Sequence, residues 1–479
     1  MIDWTSLASQ VVGIAFDLMY FGAIIGTIIV VILDNRNPVK TMAWILILMF
    51  LPVVGLVFYF FFGRSTRREK MISRKSYNRL MKKPMAEYLA QENCVLPAEY
   101  ARLSQLFKEI NQALPFEGNK VDIYTTGYTK LQALIRELSK AKHHIHMEYY
   151  IFEDDPVGRL IRDLLIDKAR NGVQVRVIYD DVGCWHVPNR FFEGMRDAGI
   201  EVRAFLKVRF PLFTSKVNYR NHRKIVVIDG VVGFVGGMNL AKRYLRGFSW
   251  GIWRDTHVMI EGKAVHGLQT AFLLDWYFVD RTLLSASCYF PKKEFFGEGL
   301  AQIVTSDPIG PWKEIMQGLT MAIIEAKKYF YMQTPYFLPT ESILAAMQTA
   351  ALAGVDVRLM LPKRGDNRII SLASRSYLAD VLSAGVKVYF YNKGFLHSKL
   401  MVSDDMLSTI GSTNLDFRSF EHNFEVNAFM YDEGTALRLK DIFVQDQRAC
   451  SQVFLKNWKK RPLHKRALES FVRLLAPLL

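Results

Sequence analysis

The stretch His222-Arg223-Lys224-Ile225-Val226-Val227-Ile228-Asp229-Gly230, with Gly236-Gly237-Met238-Asn239 close behind, has a counterpart in His397-Ser398-Lys399-Leu400-Met401-Val402-Ser403-Asp404, followed by Gly411-Ser412-Thr413-Asn414. Both copies read H-x-K-x-x-x-x-D, and in both the Asn falls 17 residues after the His. One copy of so short a pattern arises by chance in roughly a few per hundred chains of this length. Two copies with the same tail are not an accident.

Working outward, the copies prove to be part of a longer duplication. Ile145-His146-Met147-Glu148-Tyr149-Tyr150-Ile151-Phe152 is echoed by Phe330-Tyr331-Met332-Gln333-Thr334-Pro335-Tyr336-Phe337, Asn171-Gly172-Val173 by Ala353-Gly354-Val355, and Ala198-Gly199-Ile200 by Ala384-Gly385-Val386. The order of blocks is kept, and the period is far too long for a solenoid. Short β-branched runs alternate with amphipathic segments, which predicts two similar α/β domains facing each other.

The spacing has a chemical reading. In a strand, His and Lys two apart share a face, and the apolar run behind them anchors it in the core. The Asp falls on the other parity and is expected to brace the turn into the next strand. A neutral imidazole is a competent nucleophile near neutral pH, Lys offers a point charge to a phosphate oxygen, and Asn adds a neutral donor. Two such sets across a pseudo-two-fold interface would surround one phosphate with two His, two Lys and two Asn. That arrangement suits phosphoryl-group transfer without a metal. Elsewhere, His143, His144 and His146 lack carboxylate or cysteine partners at ligand spacing, and Glu153-Asp154-Asp155 reads as a helix cap. Glu148 shares a strand face with His146 and Tyr150; it fits either a place behind the site or a solvated face. His257 and His422 read as structural neighbours.

The amino-terminal region carries two apolar stretches, Leu18 to Leu33 and Thr41 to Gly63, joined by seven residues. About 20 apolar residues cross a bilayer as a helix. The second stretch meets that length outright and the first does so marginally, so a two-helix hairpin is expected. Arg64, Arg67, Arg68, Lys70, Arg74, Lys75, Arg79, Lys82 and Lys83 crowd its exit, against Arg36 and Lys40 in the turn, which places the bulk of the chain in the cytoplasm. A cleaved leader is disfavoured because Met1-Ile2-Asp3-Trp4 lacks positive charge. The net charge of +16 over 479 residues attracts polyanions, either nucleic acid or acidic lipid. With 50% hydrophobic residues general disorder is excluded, and four scattered cysteines exclude a disulfide scaffold.

These motifs, together with Arg36-Asn37-Pro38, Phe62-Gly63, Gly118-Asn119, Trp253-Arg254-Asp255 and the closing Arg473-Leu474-Leu475-Ala476-Pro477-Leu478-Leu479, resemble the phospholipase D superfamily and, within it, the bacterial cardiolipin synthases. The resemblance implies two phospholipase D-like α/β/α domains related by pseudo-two-fold symmetry behind a transmembrane hairpin. The segments would be 1–70 hairpin, 71–115 connector, 116–290 first domain and 291–479 second domain with an amphipathic tail. It implies no cofactor and no metal, and a catalytic set of His222, Lys224, Asp229, His397, Lys399 and Asp404. Asn239, Asn414 and Ser412 would hold the substrate phosphate. Each histidine would be oriented by an acid downstream in its own half, His222 by Asp255 and His397 by Glu425. His222 would be the nucleophile and His397 the acid and base. The implied reaction joins two phosphatidylglycerols into cardiolipin, releasing glycerol, in an anionic membrane and without nucleic acid. Rival readings are a membrane-tethered phosphodiesterase, as phospholipase or nuclease, and a lipid-binding scaffold, which the intact motifs disfavour.

Two further segments carry expectations. Leu206 to Arg220 has no counterpart of equal length in the second half, and Phe210, Leu212 and Phe213 among Lys207, Arg209 and Lys216 suit either an interfacial loop or a packed insertion. In the tail, Trp458, Leu463, Leu468, Phe471, Val472 and Leu475 interleave with basic residues, as in a helix docked on the second domain with partial lipid contact.

Overall fold

The computed structural model describes residues 4–33, 38–59, 96–208, 218–291 and 296–476. The chain divides into two units, one of Met1–Glu69 with Val208–Asn218 and one of Lys70–Lys207 with Tyr219–Leu479.

In the first unit, Trp4–Leu33 is one unbroken helix of 30 residues, of which Gly13–Leu33 is apolar enough to cross a membrane. The second apolar stretch departs from expectation. It forms a helix over Pro38–Phe50, breaks at Leu51, and resumes over Pro52–Phe58. Pro52 is the cause, because it has no N–H and its ring opposes the α conformation of the residue before it; Leu51 accordingly leaves the helical region. The order of strength read from charge counts is thus reversed, and the first stretch makes the long helix. Val31, Leu48 and Tyr59 pack together between the helices. The basic exit at residues 64–83 lies outside the described residues, as do Arg209, Phe210, Leu212, Phe213 and Lys216.

The second unit is built on a sheet of 16 strands. In the first half, His144–Tyr149, Gln174–Asp180 and Glu201–Phe205 run parallel, and Lys224–Ile228 lies antiparallel on the other side of His144–Tyr149. The second half repeats this with Tyr329–Gln333, Asp356–Pro362 and Lys387–Tyr391 parallel and Leu400–Ser403 antiparallel. Every residue of His144–Tyr149 and Tyr329–Gln333 is buried, as required of parallel strands covered on both faces by crossover helices. The halves meet where Pro115–Tyr124 and Gly299–Ser306 pair antiparallel.

Two features redraw the expected segments. Tyr100, Leu103 and Phe107, assigned to the connector, are buried in the core of the second half with Leu319 and Phe429. In the tail, helix Leu463–Arg473 brings Val472 and the following Ala476 into the same core, and Arg473 pairs with Asp380 at 2.9 Å, while Leu463, Leu468, Phe471 and Leu474 stay exposed.

Candidate active site

Two short backbone pairings decide the site's geometry. Arg220–Asn221, just before His222, runs parallel to Asn423–Phe424, just before Glu425; Ile252–Arg254, just before Asp255, runs parallel to Gly394–Leu396, just before His397. The amide of His222 donates to the carbonyl of Phe424 at 2.9 Å and that of His397 to the carbonyl of Arg254 at 2.7 Å. Each histidine is thereby delivered beside an acid of the other half. His222 Nδ1 lies 3.0 and 3.1 Å from the Glu425 oxygens, and His397 Nδ1 lies 2.6 Å from Asp255 Oδ2. The pairing within halves implied by the family spacing is therefore corrected: the acids are exchanged.

The acids are held in turn. Glu425 accepts from Ser412 Oγ and from Asn423 Nδ2, the latter at 3.2 Å. Asp255 accepts from the Thr256 amide at 2.8 Å and Trp253 Nε1 at 3.3 Å. Burial opposes ionisation of both, but His222, Lys224 and the Ser412 hydroxyl hold Glu425 down at about 2, and His397 and Lys399 hold Asp255 below the usual carboxylate range. Ionised acids fix Nδ1 as the protonated nitrogen of each imidazole and leave Nε2 bare. Burial pushes His222 down to about 4; burial and the Lys399 charge push His397 to about 3. At neutral pH both rings are neutral.

Both lysines are fully buried behind the histidines. Lys224 Nζ donates to the His222 carbonyl; Lys399 Nζ donates to the His397 carbonyl at 2.6 Å and lies over the edge of the His397 ring, 2.9 Å from Nδ1 and 3.1 Å from Nε2. Burial lowers Lys224 to about 7 and Lys399 to about 8, and an arriving phosphate would favour the protonated form of each. His222, His397, Asn239 and Asn414 line one cavity of about 340 Å³, shared with Tyr150, Tyr244, Trp253, Tyr336, Arg243, Asp366 and Arg418 among others. Asn239 is tied to the Ile151 amide at 3.1 Å and to the Tyr244 hydroxyl. Asn414 Oδ1 is buried without a hydrogen-bond partner.

Three expected residues sit elsewhere. Asp229 accepts from the amides of Lys142, His143 and His144 at 2.8, 2.8 and 2.9 Å, and Asp404 from those of Lys327, Lys328 and Tyr329 at 2.6, 2.9 and 2.8 Å. Both have positive φ, 52° and 50°. The motif aspartates thus clamp the turn to the start of the neighbouring parallel strand, as their parity predicts, and do not reach the cavity as members of a catalytic set. Ser412 is corrected too: its hydroxyl is spent on Glu425 and it does not line the cavity. Glu148 is buried against Asn221 and Asp275 rather than solvated, and its carboxyl is raised by burial and the Asp275 charge. His144 and His146 bracket Gln269 in the core.

Sequence reasoning missed the aromatic wall and a second repeated signal. Asn239-Leu240-Ala241-Lys242-Arg243 and Asn414-Leu415-Asp416-Phe417-Arg418 both read N-L-x-x-R, and both arginines line the cavity. Tyr336, which also reaches it, lies within the repeated block that ends at Phe337, whereas Asp366 carries no repeated signal.

Two histidines presented to one cavity by a duplicated α/β unit define a phospholipase D-like protein. The family described as cardiolipin synthase, PLD-like domain, matches residues 134–276 and 319–447, and one described as phospholipase D-nuclease N-terminal matches residues 22–64. A cardiolipin synthase 2 from Bacillus anthracis is 42% identical over 461 residues, covering 94% of this chain and 89% of that one. The major cardiolipin synthase of Bacillus subtilis is 39% identical over 478 residues, covering 97% and 99%. A phosphatidylserine synthase from Haemophilus influenzae shares the fold with a TM-score of 0.60 at 13% identity, over 79% of this chain and all of that one. This chain belongs to the bacterial cardiolipin synthase family of phospholipase D-like proteins.

Proposed function

We propose that the protein makes cardiolipin and glycerol from two phosphatidylglycerols by way of a phosphatidyl group carried on His222. The exchanged clamp, with each Nδ1 held by an acid of the other half and both rings lining the shared cavity, carries this reading. The phosphate of the first lipid docks between the rings, where Asn239 and Asn414 line the cavity and donate to its oxygens while the charges of Lys224 and Lys399, buried behind the rings, offset its own. Its charge raises the proton affinity of the histidines from their resting values, so His397 arrives protonated. His222 Nε2 attacks phosphorus, the bond to the glycerol oxygen breaks, and His397 gives its proton to that oxygen. After glycerol leaves, a hydroxyl of the second lipid gives its proton to His397. Its oxygen bonds to phosphorus as the P–N bond breaks, and His222 is regenerated. One phosphodiester replaces another, so the reaction is nearly isoenergetic and a covalent carrier suits it.

The assignment of nucleophile to His222 rests on the family resemblance, with Asp255 and Glu425 as positioning residues. In this reading the two amino-terminal apolar stretches both cross the membrane and the catalytic unit lies on the cytoplasmic side, supported by the basic residues between 64 and 83. The expected connector 71–115 then shortens to 71–95, residues 96–115 join the second half, and 116–290 and 291–479 are the halves of the catalytic unit. Purified protein in phosphatidylglycerol vesicles should yield cardiolipin and free glycerol in equal amounts. Phosphatidic acid as the sole lipid product would instead mark a membrane-tethered phosphodiesterase.

A further inference from the structure

The two walls of the cavity are not equivalent. On the His222 wall stand Tyr150, whose ring centroid is 5.1 Å from that of His222, and Arg418, whose charge acts on Tyr150. On the His397 wall stand Tyr244, at 6.3 Å from His397, Trp253, at 5.0 Å, and Tyr336; Phe395 lies buried behind them, 5.5 Å from His397 and 6.4 Å from Tyr336. Tyr336 donates to both oxygens of Asp366, at 2.9 and 2.8 Å, and the Asp366 charge reaches Lys399. Arg243 lies over the Tyr244 ring, 5.8 Å from its centroid. It pairs with Glu153 through Nη1 at 2.8 Å with its side chain 36% exposed, and the guanidinium has further N–H donors to offer.

A carboxylate in a pocket for anionic lipids needs a reason. Asp416, which also lines the cavity, has one: it caps the helix Phe417–Glu421 through the Ser419 amide at 2.7 Å. Asp366 makes no such cap. Near a phosphate its charge is unfavourable, but a glycerol hydroxyl is a good donor to it. In the reaction above, the group facing His397 is first the leaving glycerol and then the acceptor's glycerol. The acceptor differs from free glycerol in carrying its own phosphate one glycerol length away, and that phosphate needs a cation.

Resting on the transferase reading, we propose that the His397 wall is the acceptor subsite, in which Asp366, held by Tyr336, accepts a hydrogen bond from the glycerol headgroup while Arg243 binds the phosphate of the acceptor lipid. Arg418, its repeat counterpart, stands on the donor side. A carboxylate to take the hydroxyl and a cation to take the phosphate, both lining the one cavity, select a phosphatidylglycerol over a simple alcohol or water.

The test is a competition. Full-length protein in phosphatidylglycerol and phosphatidylcholine vesicles is given radiolabelled glycerol and 1-propanol together. Cardiolipin, labelled phosphatidylglycerol and phosphatidylpropanol then form from one phosphatidyl-enzyme, and their ratios do not depend on how much enzyme is folded. Arg243→Gln should lower the ratio of cardiolipin to labelled phosphatidylglycerol about tenfold, with partial recovery in Arg243→Lys; Asp366→Ala should lower the ratio of labelled phosphatidylglycerol to phosphatidylpropanol about tenfold. Unchanged ratios overturn the assignment, and so does a loss of lipid acceptor in Arg418→Gln with none in Arg243→Gln. If the wild-type protein releases phosphatidic acid and no cardiolipin, the transferase reading itself fails, and this result is separable from the others.

Discussion

The two halves repeat one another in backbone but hold their histidines differently. His222 faces both oxygens of Glu425, which is backed by Ser412 and Asn423, whereas His397 meets one oxygen of Asp255, backed by Trp253 and Thr256. The middle residue of the motif differs as well. Arg223 is buried, bonds to Asp275, and reaches the carbonyls of Glu425 and Ser306 at 3.1 and 3.3 Å, while Ser398 makes one 2.6 Å contact to Thr256. Neither half therefore contains a finished site. The duplication supplied two histidines, and the exchange of acids made them interdependent and unequal.

The largest expected effect is the loss of either ring. His222→Ala or His397→Ala should lower cardiolipin synthesis by about 10³-fold or more, because neither histidine can stand in for the other. Next come the acids. Glu425→Gln and Asp255→Asn should each cost about 10²-fold or more with phosphatidylglycerol, and a change of donor separates them. A phosphatidyl p-nitrophenyl ester has a leaving group that needs no proton, so Asp255→Asn should recover p-nitrophenol release while Glu425→Gln stays slow. The reverse result would mean that each acid serves the histidine of its own half.

Smaller effects sharpen the contrast between the motif's middle residues. Arg223→Ala strands Asp275 without its buried partner and should cost about 3–5 kcal/mol of stability in denaturant titration. Ser398→Ala removes one neutral hydrogen bond and should cost about 1 kcal/mol. The pH profile is milder still. kcat/KM reports the free enzyme; with both histidines neutral above about pH 4 and both acids ionised, the alkaline limb belongs to the lysines. Activity should fall from about pH 7 to 8 upward as Lys224 and then Lys399 lose protons. Replacing Lys399 with Arg, which does not titrate in this range, should flatten the upper part of that limb in whatever activity remains.

The sequence carried the duplication, both motifs and the α/β alternation, because these depend on residue type and local period. The role of Asp229 and Asp404 as turn braces was also legible, since strand parity excluded them from the histidine face. The exchange of Glu425 and Asp255 was not, because spacing along one chain does not say which half a strand end will pair with, and Arg220–Asn221 and Ile252–Arg254 pair across the halves. Ser412 stands beside Asn414 in the chain, which suggests a phosphate ligand, but a buried hydroxyl next to a buried carboxylate is drawn to it. The break at Pro52 was written in the sequence but hidden by counting charges alone. Arg243 and Arg418 share a repeated spacing that the unlike residues between them obscured.

The most direct test of the account is to find where the phosphatidyl group rests. Full-length His222→Ala and His397→Ala proteins are mixed with acyl-labelled phosphatidyl p-nitrophenyl ester, denatured, and digested for peptide mapping under conditions that keep phosphohistidine intact. Label is expected on the peptide containing His222 in the His397→Ala protein, and none in the His222→Ala protein. Label on His397 in the His222→Ala protein, with none on His222 in the other, would contradict it.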